Sequence, residues 1–221
     1  MNFEAARIKM VDNQIRTTDV TSHAVLSAFL SVPREEFVPA AVKPLAYIDT
    51  DVELQASGAS GRRYLMEPSP LAKLLQLAEI ASTDRVLDVG TGTGYSAAVL
   101  SRLAASVVAL ESDDSLAGRA RDALSRTGAA NVEVVTGGLA SGHPAGAPYD
   151  VIVLEGAIET LPDALTAQLR DAGRLVAVEG RGNAGIAKVY LNSGGLITGR
   201  RAFNAALKPL PGFERTPAFE F

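Results

Sequence analysis

Val86-Leu87-Asp88-Val89-Gly90-Thr91-Gly92-Thr93-Gly94-Tyr95 decides the fold. An apolar run carrying one acid opens directly into three alternate glycines, as a buried strand does when it meets a tight turn. Tyr95 to Leu103 then reads as a helix, so its first N–H groups would point at a bound ligand. Glycine turns also cradle dinucleotides, but the G-x-G-x-x-G fingerprint needs a glycine at position 95, where this chain has Tyr95. Asp88, two residues before the first glycine, is an awkward neighbour for a pyrophosphate. It suits a phosphate-free ligand that carries an ammonium and a sulfonium.

The next apolar run, Val107-Val108-Ala109-Leu110, ends in Glu111. A carboxylate at the end of a neighbouring strand can accept both hydroxyls of a ribose. Either acid alone reads equally well as a strand end or a helix cap. Together, around one glycine turn, they favour a ligand. S-adenosylmethionine is the cofactor implied, with Asp88, Gly90, Thr91, Gly92, Gly94 and Glu111 as its candidate contacts. This pattern resembles motif I of the class I methyltransferases.

Composition narrows the function further. With 221 residues and 47% apolar content, the chain can build one sizeable core. A net charge of −4, a pI near 5.3 and no basic stripe interleaved with aromatics argue against a nucleic-acid surface. Cysteine is absent, which excludes disulfides, thiolate metal sites and cysteine nucleophiles. The two histidines have no metal-ligand companions: His23 is expected exposed near a helix start, and His143 in a solvated loop. No metal site is expected. Without an apolar leader or a long apolar run, the expectation is a soluble cytoplasmic protein with no membrane segment.

Along the chain, residues 3–16, 21–31 and 68–81 read as helices. Between them lies a loop-rich passage through Pro39, Pro44 and Tyr47, then the glycine-serine punctuation of Ser57 to Gly61. From Arg85 onward, strands at 85–89, 106–110, 132–135, 150–154 and 173–178 alternate with helices at 95–103, 115–126 and 160–170. Such alternation means right-handed βαβ units and a parallel sheet covered on both faces. Residues 186–191 and 196–201 flank Asn192-Ser193-Gly194-Gly195 and predict an antiparallel hairpin with a four-residue turn. The fold class is therefore α/β, a doubly wound and mostly parallel sheet with an N-terminal helical cap and a C-terminal antiparallel hairpin. One domain over 1–221 is expected, with the cap and substrate loop in 1–84 and the cofactor-binding core in 85–221.

Several other segments resemble one methyltransferase family, the protein-L-isoaspartate O-methyltransferases. They are Met10 to Arg16, Val32-Pro33-Arg34-Glu35-Glu36-Phe37-Val38-Pro39, Ala46-Tyr47, Tyr149 to Val153, Leu161 to Leu165, and Ala172 to Val176. The resemblance implies a Rossmann-like methyltransferase fold and methyl transfer to a protein isoaspartyl carboxylate. The ester formed would collapse to a succinimide, a protein-repair role.

Three departures fall at expected contacts. Where the family's substrate loop reads Gly-Gln-Thr-Ile-Ser-Gln-Pro, this chain has Arg62-Arg63-Tyr64-Leu65-Met66-Glu67-Pro68, so Met66 stands at the serine and Tyr64 at the threonine. Gly137-Gly138-Leu139 stands where the family has Gly-Asp-Gly, leaving Gly138 and Leu139 at positions beside the cofactor without the acid. Glu155-Gly156-Ala157 replaces a Thr-Ala-Ala type of run. Arg62, Arg63, Tyr64 and Met66 are thus the acceptor-loop candidates. Either arginine could pair with the acceptor carboxylate or lie solvated, and Met66 could simply pack. Glu155, at a strand's carboxyl end, joins the cofactor-side set; it could act as a base or only start a helix. A protein or peptide acceptor is expected. The alternatives are a small-molecule acceptor on the same scaffold and a cofactor-binding module without turnover.

Overall fold

The computed structural model describes residues 2–55 and 61–215. Helix α1 (Phe3–Met10) starts where the Asn2 side chain accepts from the Ala5 amide, a cap that satisfies one orphan donor. It widens into a π-turn at Val11–Ile15 and tightens again at Arg16–Thr18. Helix α2 (His23–Ser31) is capped by Ser22 and α3 (Pro68–Leu77) opens on a proline, whose missing N–H costs nothing in a first turn. Between them the expected loop passage contains a small antiparallel pair, β1 (Val52–Gln55) and β2 (Arg63–Leu65). The punctuation at Ser57–Ser60 lies outside the described residues.

The main sheet comprises β3 (Arg85–Val89), β4 (Ser106–Glu111), β5 (Val132–Thr136), β6 (Tyr149–Ile158), β7 (Leu169–Glu179), β8 (Ile186–Ser193) and β9 (Leu196–Asn204), in the order β5-β4-β3-β6-β7-β8-β9. The first five run parallel; β8 and β9 are antiparallel. Chain order reverses between β3 and β6, and open α/β sheets place their crevice at such a switch. Alternate residues serve the two faces. Val86, Val107, Ala109, Val151, Val153 and Val176 join the larger core, beneath α2, α3, α4 (Tyr95–Leu100) and α5 (Asp114–Arg126). Leu87, Val89, Val108, Leu110, Ile152 and Leu154 face the smaller one, closed by Leu165, Leu210 and Phe213.

Three expectations are corrected. The helix over 160–170 is one turn, α6 (Asp163–Thr166), because Leu169 already pairs with Tyr149 and the sheet recruits the residues beyond it. Strand β6 continues past residue 154 to Ile158, held by hydrogen bonds between Ala157 and the Lys208–Leu210 backbone. The hairpin turn has two residues, Gly194 and Gly195, since Asn192 and Ser193 keep pairing with Ile197 and Leu196.

Candidate active site

The glycine turn leaves β3 with left-handed backbone at Gly90 (φ +85°) and Gly92 (φ +60°), a conformation that costs any residue with a Cβ. The Gly90 and Thr91 amides both donate to Leu110 O, and the Gly92 amide donates to Glu111 Oε2 at 2.8 Å. The turn is thereby fastened to the end of β4. Added Cβ atoms here would meet side chains: Leu210 Cδ1 at 2.6 Å from Gly90, and Leu54 Cδ1 at 2.9 Å from Gly92. Bare backbone thus lines a cleft, as a ligand lying flat on it requires. In this structure side chains of the protein fill the cleft.

Chief among them is Arg63. Its Nη1 donates to Glu111 Oε1 at 2.5 Å, and its Nη2 to Glu111 Oε2 and to Gly90 O, both at 2.9 Å. Arg63 is 4% exposed and Glu111 is fully buried. Bidentate guanidinium–carboxylate pairing is among the stronger polar contacts, and removing one partner of a buried pair costs about 3–5 kcal/mol. The acid expected to hold a ribose therefore holds an arginine. Arg63, expected in the acceptor loop, reaches from it to Glu111 and Gly90 while also bordering the cavity beside Arg62 and Tyr64. Sequence reasoning missed this contact, although the signal existed: in β2 Arg63 and Leu65 alternate inward with half-buried Tyr64 between them.

Asp88 is fully buried at the strand end, its Oδ2 accepting from Ser96 Oγ at 2.8 Å. Glu155 comes from the neighbouring β6, where the five residues Val153–Ala157 face three, Val176–Val178, on β7. That bulge re-aims the side chain towards Asp88. Asp88 Oδ1 and Glu155 Oε1 are both buried with no hydrogen-bond partner. Burial, reinforced by the charge of Asp88, holds the Glu155 carboxyl well above the usual carboxylate range; Asp88 is also raised, chiefly by burial. Two carboxylates in one dry site do not both ionise, so the pair keeps a proton.

Glu155 also lines a cavity of about 20 Å³ bordered by Asp51, Arg62, Arg63, Tyr64, Met66 and Lys208. Arg62 is exposed and hydrogen-bonded to the Tyr64 hydroxyl, and Lys208 Nζ lies 5.4 Å from the Tyr64 ring centre. Met66 is buried in the larger core, with its carbonyl accepting from Arg34. Thr91 is buried beside Asp88, its hydroxyl turned to that carboxyl. Gly94 closes the turn at φ +91°. Gly138 precedes a short turn in which Leu139 packs into the smaller core. His23 is exposed and His143 half-buried, its amide donating to Gln168.

The family-like segment 32–39 has its own role. Arg34 is fully buried, donating to Ala46 O at 2.7 Å and Met66 O at 2.8 Å while stacking 4.8 Å from the centre of the Tyr95 ring. Burial lowers the pKa of this guanidinium from its usual value. Tyr95 packs edge-on against Phe29 and Phe37. This knot fixes the start of α4 and the end of the substrate loop to each other.

Comparisons with known proteins agree with this architecture. The family described as Protein-L-isoaspartate(D-aspartate) O-methyltransferase (PCMT) matches residues 5–210. The protein-L-isoaspartate O-methyltransferase of Koribacter versatilis (strain Ellin345) is 40% identical over 174 residues, 79% of this chain and 76% of that one. A solved protein-L-isoaspartate O-methyltransferase superposes with a TM-score of 0.81 at 26% identity, covering 93% of this chain and 66% of that one. A Plasmodium falciparum structure of the same description, in complex with S-adenosyl-L-homocysteine, gives 0.77 at 18% identity over 95% of this chain and 98% of that one, a likeness of fold. By its residues, its sheet and its relatives, this chain belongs to the protein-L-isoaspartate O-methyltransferase family.

Proposed function

We propose that the chain transfers a methyl group from S-adenosylmethionine to an isoaspartyl carboxylate of a protein, and so takes part in protein repair in the cytoplasm. The family is one of S-adenosylmethionine-dependent O-methyltransferases. One observation carries the reading at this site: Asp88, next to last in β3, and Glu111, last in the adjacent parallel β4, flank a turn whose bare Gly90 and Gly92 line the cleft. That donor set fits the cofactor, with Glu111 for the ribose, Asp88 beside it, and Thr91 and Gly94 completing the turn. When bound, the cofactor supplies a methyl carbon already activated by a sulfonium, so orientation and exclusion of water are what the protein must add.

The chain's own residues meet those needs. An acceptor carboxylate is ionised at neutral pH and requires no general base. Around the small cavity Arg62 and Lys208 outnumber Asp51 and favour an anion there, with the Tyr64 hydroxyl beside them. Glu155, its carboxyl raised by burial and by the charge of Asp88, sets less negative charge against that anion than a solvated carboxylate would. Met66 is the observation behind a second reading. It stands in the substrate loop with no hydroxyl to offer and is spent on packing, which favours a different acceptor on the same scaffold.

Labelled methyl donor with an isoaspartyl peptide, its aspartyl twin and a panel of small carboxylates separates the readings. Label on the isoaspartyl peptide alone supports the first. Label on another acceptor overturns it in favour of the second. No transfer to any acceptor, with the donor bound, leaves a binding module without turnover.

A further inference from the structure

We propose that Arg63 is a built-in occupant of the cofactor's ribose position, so that donor binding and withdrawal of this side chain are one coupled event. The inference rests on the methyl-donor reading above. A ribose diol and a guanidinium make the same offer to Glu111, two donors side by side on one carboxylate, and the carboxylate can accept only one of them. Here Arg63 takes both oxygens, at 2.5 and 2.9 Å, and spends its remaining reach on Gly90 O. Leu210 and Leu54 close over the faces of Gly90 and Gly92. The cavity left beside the turn is about 20 Å³, room for a water, whereas small-molecule sites run to several hundred.

The lining of that cavity shows the direction in which Arg63 withdraws, the cavity widening to admit it. Asp51 lines it together with Arg63, so a withdrawn guanidinium finds a carboxylate there rather than bulk apolar surface. Donor binding then moves one positive charge from the ribose carboxylate to the acceptor side, and the donor must bind before the acceptor. The apparent affinity of the free protein for the donor falls by the fraction of molecules in which Arg63 is already withdrawn.

Two measurements on the full chain test this. The demethylated product, S-adenosylhomocysteine, is titrated calorimetrically into the wild type and Arg63→Gln. In parallel, wild-type arginines are labelled with phenylglyoxal with and without that nucleoside, and the peptide containing Arg63 is quantified by mass spectrometry. The expected result is binding at least about ten-fold tighter in Arg63→Gln, with labelling of Arg63 rising when the nucleoside is present, the reverse of ordinary ligand protection. Equal or weaker binding by the variant, with Arg63 labelling unchanged or reduced, overturns the proposal and leaves the donor reading standing. Failure of both proteins to bind overturns the donor reading and this inference with it. Should circular dichroism show Arg63→Gln unfolded, wild-type labelling decides alone: a rise supports the coupling and no rise overturns it.

Discussion

Glu155 and Asp88 form a buried acid pair with one oxygen each lacking a donor, and this makes stability depend on pH in a direction that can be worked out. Both groups have raised pKa values in the folded state, first through burial. The unfolded chain releases the shared proton near the ordinary carboxylate value of about 4.3, while the folded chain keeps it to higher pH. Stability from this source is therefore complete in acid. It declines by about 1.4 kcal/mol per pH unit above that value for each proton the folded pair still holds, levelling off once pH passes both folded pKa values. Glu155→Gln removes the proton and gives Asp88 an amide donor. Its stability relative to wild type is expected to grow between pH 5 and pH 8, and urea unfolding at four pH values checks it; a constant difference would rule out a shared proton. Arg34 makes a contrasting case, because its role is geometric. Its planar fork reaches Ala46 O and Met66 O together, and lysine, a point charge, cannot serve both. Arg34→Lys is expected to cost about 1–3 kcal/mol for the stranded carbonyl, read by denaturant midpoint.

At the scale of elements, the glycine turn and the C-terminal segment press on each other. A Cβ at Gly90 needs a left-handed φ and meets Leu210 Cδ1 at 2.6 Å. Gly90→Ala is expected to lose about 1–3 kcal/mol from the backbone alone, with the clash in addition. Leu210→Ala is expected to lose about 2–5 kcal/mol as a buried leucine. Because the second change removes the clash caused by the first, the double variant should be more stable than the summed losses imply, and a urea double-mutant cycle measures that coupling. The β8–β9 turn offers the opposite sign. Gly194 and Gly195 sit at φ +60° and +88° with open space where side chains would go, the geometry that asparagine followed by glycine adopts readily. Gly194→Asn is expected to stabilise by about 0.4–1 kcal/mol through the unfolded state, visible as a higher Tm. These elements differ in how legible they were. Strands β3 and β4 could be read because each is an apolar run closed by an acid and a turn. Helix 160–170 misled because Leu161, Leu165 and Leu169 keep helical spacing while Leu169 is claimed by pairing with Tyr149. Arg63 was missed because β2 is only three residues long, so the alternation that turns Arg63 and Leu65 inward has a single period to show itself.

For the molecule as a whole, the two sheet faces are covered by different means. Helices α2 to α5 cover the larger core, and the amphipathic repeats of α2, α3 and α5 announced it in the sequence. Among the described residues, the smaller core is covered by two short turns, α6 and the one carrying Leu139, and Leu210 and Phe213 close it from a segment with no periodic pattern. That half of the closure was illegible for a physical reason: irregular chain buries apolar groups without a repeat to reveal them. The segment is held by the Ala157 amide donating to Lys208 O, the Leu210 amide donating to Ala157 O, and the Glu159 amide donating to Phe213 O. It therefore joins sheet, core and the cleft at the glycine turn. If so, Phe213, 2% exposed, contributes as a core residue despite lying beyond the last strand. Phe213→Ala is expected to cost about 3–5 kcal/mol, lowering the urea midpoint with the slope unchanged. Leu196, 67% exposed at the hairpin tip, supplies the matching control, since Leu196→Ala should stay within about 0.5 kcal/mol of wild type. Equal losses at the two positions would mean that the segment does not close the second face. A large loss at Phe213 alone would identify it as part of the fold's interior, and would explain why Leu210, on the same segment, can lie so firmly over Gly90.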